Sequence, residues 1–299
     1  MSRRFLFIVN PISGTADKIS VEQTIRQQTK AAGFSFNIFP SVASGDYSFL
    51  EEEIRGKKIT DIVIAGGDGT INAAVSQLAK FELPFGIIPC GSGNGLAFSA
   101  GIPKDPDKAL KLIFKGNSKW SDAFTINGRF ACMLCGLGLD AQVAHDFANA
   151  PKRGLLTYVR KTIADFIKAP AYPFVLHNGG KEIKTNAFFI SIANSNQFGN
   201  NFTIAPKASL TDGLLDIVIM TKQNKISALF NTVRQISGFN QIKSMEMVHE
   251  NSSLIYFQTE AIRISNPGLA PMHIDGDPVH AATEVEVKVM KQAFQLLVP

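Results

Sequence analysis

The chain has 299 residues and a formal net charge of +5, and 45% of its residues are hydrophobic. Because one small core rarely holds a chain of this length, and because no polar or repetitive tract interrupts it, we expect two folded domains and no long disordered region. No apolar run approaches the roughly 20 residues of a membrane-spanning helix, and the apolar run at Phe5–Val9 is too short for a signal peptide.

The charge and the cysteines narrow the class of protein further. A mild positive charge suits an anionic partner such as nucleotide phosphates or an acidic lipid surface, and the lack of a basic block interleaved with aromatic residues predicts no nucleic-acid partner. The three cysteines, Cys90, Cys132 and Cys135, favour a reducing, cytoplasmic setting. Cys132 and Cys135 have the spacing of metal ligands, but they lie in an apolar run without a matching pair, so we expect core residues.

The first third of the chain alternates between strand and helix signals. Phe5–Val9 is predicted to be a buried strand, and the turn residues Asn10–Gly14 follow it directly. Apolar residues at helical spacing predict a helix over 21–32, and alternation predicts a strand over 34–38. A second helix is expected over 47–54. Strands that alternate with helices indicate a parallel, doubly wound sheet.

The stretch 61–72 joins a strand, a glycine turn and a helix. Its apolar run ends in Gly66-Gly67-Asp68-Gly69-Thr70, and we expect Thr70 to cap the following helix. One stripe of that helix is apolar: Ile71, Ala74, Val75 and Leu78. Glycines allow a ligand to approach the backbone, and N–H groups at a helix start favour phosphate. Asp68 then needs Mg²⁺ or a basic group beside the phosphate, or it takes a proton from a hydroxyl. A tight turn that merely requires glycines is the alternative.

A further loop of the same kind follows the predicted strand Phe85–Pro89. Cys90–Gly95 contains three glycines, a serine and an asparagine before a new helix signal, so three such loops follow parallel strands. In doubly wound sheets ligands bind at the carboxyl ends of the strands, which favours a nucleotide here. The dinucleotide fingerprint and the P-loop signature are both absent.

From Trp120 onward the pattern changes to antiparallel strands. Asn127-Gly128 predicts a two-residue hairpin, and Asn178-Gly179-Gly180 predicts another turn. Later strand candidates are 214–220, 254–257, 261–265 and 284–289, with helices near 155–167 and 226–236. We therefore predict an α/β nucleotide-binding domain over 1–120, completed by a final strand within 291–299, and a mainly antiparallel β-sandwich over 121–290.

Acidic turns in the second half carry the remaining candidate chemistry. Asp275-Gly276-Asp277 places two carboxylates where one can accept a hydroxyl proton while the other holds a metal or orients the first. Asp212 and nearby carbonyls can hold a hard cation such as Mg²⁺. Asp140 can bind substrate or cap a helix. For Asp212 and the 275–277 turn, plain Asp-Gly turns are the alternative.

Together these residues resemble the diacylglycerol kinase catalytic-domain family, which includes bacterial diacylglycerol and related lipid kinases and sphingosine kinases. The resemblance covers nearly the whole chain. Its marks, in order, are Asn10-Pro-x-Ser-Gly14, Gly66-Gly-Asp-Gly-Thr70 with Asn72, Gly91-Ser-Gly-Asn94, Gly138-Leu-Asp-Ala141, Ala205-Pro through Thr211-Asp-Gly213, and Asp275-Gly-Asp277.

The resemblance implies ATP and Mg²⁺ as cofactors. It also implies an ATP site between a Rossmann-like domain and a β-sandwich, the first of which is similar to the domains of NAD kinases and phosphofructokinases. The implied nucleotide contacts are Asn10, Pro11, Ser13, Gly14, Ser41, Gly66, Gly67, Asp68, Gly69, Thr70, Asn72, Gly91, Ser92, Gly93 and Asn94. Asp277, with Asp275 beside it, would supply the catalytic base, and Asp68 would join a Mg²⁺–water network. Asp212, Leu214 through its carbonyl, and Ser209 match a structural Mg²⁺ site, and Asp140 aligns with an acid that contacts the lipid headgroup.

Three positions depart from the family pattern. Gly95 stands where the bacterial diacylglycerol kinases carry an aspartate, so their full carboxylate–water–Mg²⁺ network is incomplete here. Asp277 replaces the usual glutamate and is one methylene shorter. Thr15 occupies the position of the usual lysine after the first loop.

The favoured interpretation is a kinase that uses ATP and Mg²⁺ to phosphorylate a lipid hydroxyl, that of diacylglycerol or a sphingoid base, at the inner membrane face. Such a protein is expected to be cytoplasmic with peripheral membrane association, and the family also suggests a homodimer. One alternative is an NAD kinase, against which the 91–94 and 275–277 motifs argue. The other is a regulatory protein that binds a nucleotide without turnover.

Overall fold

The computed structural model describes residues 3–11, 18–139, 141, 169–197, 205–222 and 254–299. The chain forms two compact units: unit 1 comprises Met1–Ala123 with Lys291–Pro299, and unit 2 comprises Phe124–Met290. None of the helices in the described ranges is long and apolar enough to cross a membrane. The helices predicted near 155–167 and 226–236 lie outside these ranges.

Unit 1 is a parallel sheet with helices. Its strands are β1 (Arg4–Val9), β2 (Ser35–Pro40), β3 (Asp61–Gly66), β4 (Phe85–Pro89) and the end of β15 (Glu284–Leu297). They follow the order β2-β1-β3-β4-β15, and every neighbouring pair is parallel. All residues of β3 and β4 are buried, as expected for a parallel sheet covered on both faces.

Helices connect these strands. They are α1 (Lys18–Ala31), α2 (Leu50–Gly56), α3 (Asp68–Leu78), a 3₁₀ turn (Ala79–Phe81), α4 (Gly95–Ser99) and α5 (Pro106–Lys115). The apolar stripe predicted for α3 is buried as expected. Helix α5 begins at Asp105, whose side chain accepts the Lys108 N–H, and ends at Gly116 in the left-handed conformation, so both of its ends follow the usual capping rules.

Unit 2 is mainly antiparallel. Its strands are the end of β5 (Ser118–Ile126), β6 (Arg129–Ala131), β7 (Leu134–Gly138), β8 (Tyr172–Asn178), β9 (Lys181–Ala193), β10 (Leu215–Thr221), β11 (Leu254–Thr259), β12 (Ala261–Ser265), β13 (Met272–Ile274), β14 (Asp277–Val279) and the start of β15. The long strand β9 pairs with β7, β8 and β10. Asn127 and Gly128 both have positive φ and form the predicted hairpin turn.

One face of the unit 2 strands carries the main core. Alternate residues of β7, β9 and β10 point into it, among them Leu137, Ile190 and Ile217. Cys135 belongs to the same core and Cys132 is buried nearby, which confirms that these cysteines are core residues. Within the described ranges no three His, Cys, Asp or Glu residues form a metal-binding group. The predicted fold class, a Rossmann-like domain plus an antiparallel β-sandwich, is confirmed.

Candidate active site

The loops after β1, β3 and β4 are joined by backbone hydrogen bonds within unit 1. The Asn10 N–H donates to the carbonyl of Ala65 at 2.9 Å, and the Cys90 N–H donates to the carbonyl of Gly66 at 3.0 Å. The carboxyl ends of adjacent parallel strands lie at the same sheet edge, so the described residues that directly follow β1, β3 and β4 lie close together there. Their backbone positions are therefore fixed relative to one another.

Gly67 and Gly91 make the closest approach between two of these loops. A Cβ atom at Gly91 would lie 2.6 Å from the Gly67 Cα and 3.0 Å from the Asn94 Oδ1, and a Cβ at Gly67 would lie 3.1 Å from the Gly91 Cα. Glycine is required at both positions because the two backbones pack against each other. The predicted approach of a ligand to the backbone is a second reason for glycine there. Both residues are half-buried, so a ligand can still reach their backbone.

The start of α3 differs from the sequence prediction. The helix begins at Asp68 with Gly67 as its N-cap, so Thr70 lies inside the first turn and does not cap it. Thr70 Oγ1 instead accepts a 2.7 Å hydrogen bond from the Asn10 amide. The prediction of a Thr70 cap was wrong because the extended conformation of Gly67 already starts the helix three residues earlier. Asn72 and Gly69 lie half-buried on the same helix start.

Asp68 and Asn94 organise the third loop. Asp68 Oδ2 accepts the Gly95 N–H at 3.1 Å and so joins the starts of α3 and α4. Asn94, only 1% exposed, has the left-handed φ of 55°. Its side-chain amide accepts the Gly91 N–H at 2.8 Å and donates to the Gly91 carbonyl at 2.7 Å. Asn94 therefore closes the loop, while Ser92 and Gly93 are half-buried at its tip.

The remaining nucleotide candidates of unit 1 are placed as follows. Pro11 is exposed just after β1, whereas Ser13 and Gly14 lie outside the described residues. Ser41 follows β2, and its N–H donates to the Val9 carbonyl at 2.8 Å, which brings it next to the end of β1. Burial raises the pKa of the nearby Tyr47 hydroxyl, and hydrogen bonds involving Val42 and Ser41 oppose that shift.

In unit 2 the two acids of the 275–277 turn have different surroundings. Asp275 is 5% exposed with φ of 48°. Its carboxylate accepts the backbone N–H groups of Cys132, Met133 and Leu134 at 2.9–3.0 Å. With both oxygens engaged in backbone hydrogen bonds, Asp275 serves to hold the 132–134 segment against the turn.

Asp277 is the acid of this pair that is exposed to solvent. Although the residue as a whole is exposed, partial burial of its carboxyl raises the pKa of Asp277 above its ordinary value of 3.8. The neighbouring Asp275 carboxylate raises it further, and His273 acts in the opposite direction. A raised pKa makes a carboxylate a stronger base, which is the property required to accept a hydroxyl proton.

The residues predicted to hold a structural cation form a compact turn. Asp212 Oδ1 accepts the Leu214 N–H at 3.0 Å, and Ser209 Oγ accepts the Thr211 N–H at 3.3 Å. Asp212 is exposed and Leu214 and Ser209 are half-buried. A carboxylate with carbonyl and hydroxyl oxygens is the donor set that a hard cation prefers, so these residues fit Mg²⁺ chemically. Asp140, the proposed headgroup contact, lies outside the described residues.

One buried carboxyl was not predicted as a site residue. Asp216 on β10 is fully buried, and it accepts hydrogen bonds from the Tyr256 hydroxyl and from Gln258 Nε2. Burial raises the pKa of Asp216 to about 7. The hydrogen bond from Gln258 lowers this pKa, the charge of Asp212 raises it, and the charge of Lys207 lowers it. A single aspartate inside the apolar run of β10 was the sequence signal that could have revealed it.

Two family models match the chain. The diacylglycerol kinase catalytic domain matches residues 4–126, and the YegS C-terminal NAD kinase beta sandwich-like domain matches residues 134–298.

Individual relatives span most of the chain. A diacylglycerol kinase of Bacillus subtilis is 24% identical over 92% of this chain and 90% of its own length. A probable lipid kinase YegS-like protein of Citrobacter koseri is 28% identical over 89% of this chain and 87% of its own. A crystal structure of a putative diacylglycerol kinase from Bacillus anthracis superposes with a TM-score of 0.80 at 23% identity, covering 99% of this chain and 98% of that one. The chain therefore belongs to the lipid kinase family that joins a diacylglycerol kinase catalytic domain to a YegS-type β-sandwich domain.

Proposed function

We propose that this protein is an ATP- and Mg²⁺-dependent lipid kinase that transfers the γ-phosphoryl group to a lipid hydroxyl, that of diacylglycerol or a sphingoid base. The observation that carries the proposal is that Asn10 after β1 and the loops after β3 and β4 are joined by hydrogen bonds and by the Gly67–Gly91 contact. The relatives named diacylglycerol kinase and probable lipid kinase support the same class of acceptor.

In this proposal the loops bind the phosphates mainly through their backbone. Asn10, Asp68 and Asn94 already hydrogen-bond within or between the loops, so their chief contribution is to fix the backbone N–H groups in place. The eleven-residue helix α3 adds its N-terminal dipole. A preformed set of donors stabilises charge in the transition state without reorganising at the moment of reaction.

Two sets of residues fit Mg²⁺. Asp68 would hold it near the phosphates, and Asp212 with Ser209 and the Leu214 carbonyl would hold a structural ion. When bound at the phosphates, Mg²⁺ neutralises their negative charge.

Asp277 is proposed to accept the proton of the lipid hydroxyl as that oxygen attacks the γ-phosphorus. Its raised pKa and its exposure suit this role. Asp275 is proposed to be a positioning residue, because its three backbone hydrogen bonds fix the turn that presents Asp277. Peripheral binding to the inner membrane face, a cytoplasmic location and a homodimer belong to the same proposal.

The deciding experiment follows phosphoryl transfer from ATP labelled at the γ-phosphorus to a panel of lipid alcohols in mixed micelles with Mg²⁺. NAD serves as the soluble acceptor in a parallel reaction. Label on one lipid alcohol, lost in Asp277→Asn with the fold intact, supports the proposal and identifies the substrate. Label on NAD alone would establish an NAD kinase instead. ATP binding without transfer to any acceptor would favour a non-catalytic nucleotide-binding protein.

A further inference from the structure

The strands β13, β7, β9, β10 and β11 of unit 2 present a second face, opposite the main core. Residues of these strands alternate between the two faces, because side chains along a strand point to opposite sides. Leu137, Ile190 and Ile217 belong to the core cluster, so the residues between them along each strand point to the second face. That face carries polar and small side chains beside apolar ones.

The strand registers place five of these residues in one row across the sheet. His273 pairs with Gly136, Gly136 with Ser191, Ser191 with Val218, and Val218 with Tyr256. Gly136 contributes no side chain to this row. The adjacent row places Ala193 beside Asp216, so small residues also follow Ser191 along β9. Small residues therefore lie beside Ser191 along its row, at Gly136, and in the row of Ala193, whereas the row on the other side of Ser191 carries Phe189 and Met220.

Ser191 is the polar residue at the middle of its row. It is 0% exposed, and among the described residues its Oγ makes no hydrogen bond. A buried hydroxyl is normally paired, and one without a partner is unfavourable unless something else supplies the bond. The missing partner is thus expected to come from a bound molecule.

The surroundings define the chemistry of that molecule. Asp216 in the next row is a buried acid, and neither row contains a lysine or arginine. Lys207, whose charge acts on Asp216, belongs to neither row, so a phosphate or carboxylate beside Ser191 would be disfavoured. Val218 and the small residues favour an aliphatic body. A neutral oxygen on an otherwise apolar ligand satisfies both conditions. The row also begins at His273, on the strand that leads directly into the turn carrying Asp277.

We propose that Ser191 is a substrate-binding residue that donates a hydrogen bond to a neutral oxygen of the acceptor lipid, either a hydroxyl or an ester carbonyl. This proposal rests on the proposed lipid kinase function. Gly136 and Ala193 place no bulky side chain beside that hydroxyl. The row of Ser191 thereby selects a neutral lipid alcohol over a phosphorylated lipid.

The test compares Ser191→Ala with Thr29→Val in the full-length protein. Thr29 on α1 is also 0% exposed with a hydroxyl that lacks a partner among the described residues, so it controls for removal of a buried hydroxyl outside unit 2. The Michaelis constant for the lipid, the Michaelis constant for ATP, kcat and the melting temperature are measured for each variant in mixed micelles. The acceptor is the lipid on which the wild-type protein is most active.

We expect Ser191→Ala to raise the lipid KM by roughly threefold to tenfold, the range of one hydrogen bond. Its ATP KM should stay unchanged and its melting temperature should be equal to or above that of the wild type. Thr29→Val should leave both KM values unchanged. A lipid KM within experimental error of the wild type in Ser191→Ala, or an equal rise in Thr29→Val, would overturn the assignment of Ser191 while leaving the kinase function intact. A wild-type protein that phosphorylates no lipid would overturn the proposed function and this inference with it.

Discussion

At the scale of single residues, the 275–277 turn divides two similar acids into separate tasks. Asp275 accepts three backbone N–H groups and is buried, whereas Asp277 is exposed and has a raised pKa. A sequence shows two carboxylates one residue apart and does not distinguish them. The distinction comes from the backbone of the 132–134 segment, some 140 positions earlier in the chain. Mutations at the two positions should consequently change the pH profile of turnover in different ways.

The pH profile of turnover tests this division. Because a base must be deprotonated and the pKa of Asp277 lies above 3.8, activity should fall as the pH decreases through that raised value. Asp277→Asn should lower kcat by about 10²- to 10⁴-fold, with little change in melting temperature. It should also remove the fall in activity at low pH, which is the acid limb of the pH profile. Asp275→Asn, by contrast, should move the limb to lower pH, since it removes the negative charge that helps to raise the pKa of Asp277. An acid limb that persists unchanged in Asp277→Asn would assign the base elsewhere.

At the scale of elements, the contact between the β3 and β4 loops depends on two glycines that no other residue can replace. Gly91→Ala would place a Cβ 2.6 Å from the Gly67 Cα, so one loop must move. We expect ATP affinity to fall by at least about tenfold and stability to fall by about 1–3 kcal/mol. Calorimetric titration with ATP and thermal melting measure the two effects.

Gly56→Ala is the matched control for that substitution. Gly56 ends α2, and no atom lies within 4 Å of a Cβ built there. Alanine at this position should leave ATP affinity unchanged and stabilise the protein by up to about 1 kcal/mol, because it lowers the entropy of the unfolded chain. Equal ATP affinities in both variants would show that the close approach of the loops does not shape the nucleotide site.

A second prediction at this scale concerns the ion pair that joins β1, β3 and α5. Arg3 donates to both carboxylate oxygens of Asp61, which is 2% exposed, and to the carbonyls of Ile113 and Phe114 at the end of α5. Arg3→Met keeps much of the aliphatic packing but leaves Asp61 without its guanidinium partner. We expect a loss of about 2–3 kcal/mol of unfolding free energy.

Denaturant titration measures that loss, and Arg26→Met is the control, because Arg26 pairs with Glu22 on the exposed surface of α1. Its effect should stay below about 1 kcal/mol, as is usual for exposed pairs. A loss in Arg3→Met no larger than that of the control would show that the buried carboxylate finds another partner.

Periodicity accounts for most of what could be predicted of these elements. The buried stripe of α3 and the Asn127-Gly128 hairpin both follow from local pattern, because each depends on neighbouring residues alone. What could not be predicted depends on distant partners. The Thr70 cap was wrong because Gly67 starts the helix earlier, and the hydrogen bond that the Thr70 hydroxyl accepts instead comes from Asn10, sixty positions earlier. The buried Asp216 requires Tyr256 and Gln258 of another strand.

At the scale of the whole chain, the last residues complete the unit that contains the first. The sequence predicts one strand over 284–289 and a separate final strand within 291–299, whereas the structure has one strand, Glu284–Leu297, with Gln292 at a φ of 52°. The Gln292 N–H donates to Asp122 Oδ1 at 2.7 Å, and Leu296 pairs in parallel with Phe85 of β4. More than two hundred residues separate Phe85 from its partner Leu296, so unit 1 cannot finish folding until the end of β15 is available.

Removal of residues 291–299 should therefore disrupt nucleotide binding at loops that are distant in sequence. The deletion takes away Phe294, Leu296 and Leu297, each at most 1% exposed, and uncovers the edge of β4. An unpaired buried strand edge promotes aggregation, and the loss of Phe294 alone, as Phe294→Ala, should cost about 3–5 kcal/mol. Deletion of the exposed Pro299 alone is the control and should leave ATP affinity and melting temperature unchanged. If the protein lacking 291–299 did not aggregate, kept the oligomeric state of the wild type and bound ATP with wild-type affinity in calorimetry, the parallel sheet of β1–β4 would be sufficient by itself to hold the loops that follow its strands in place.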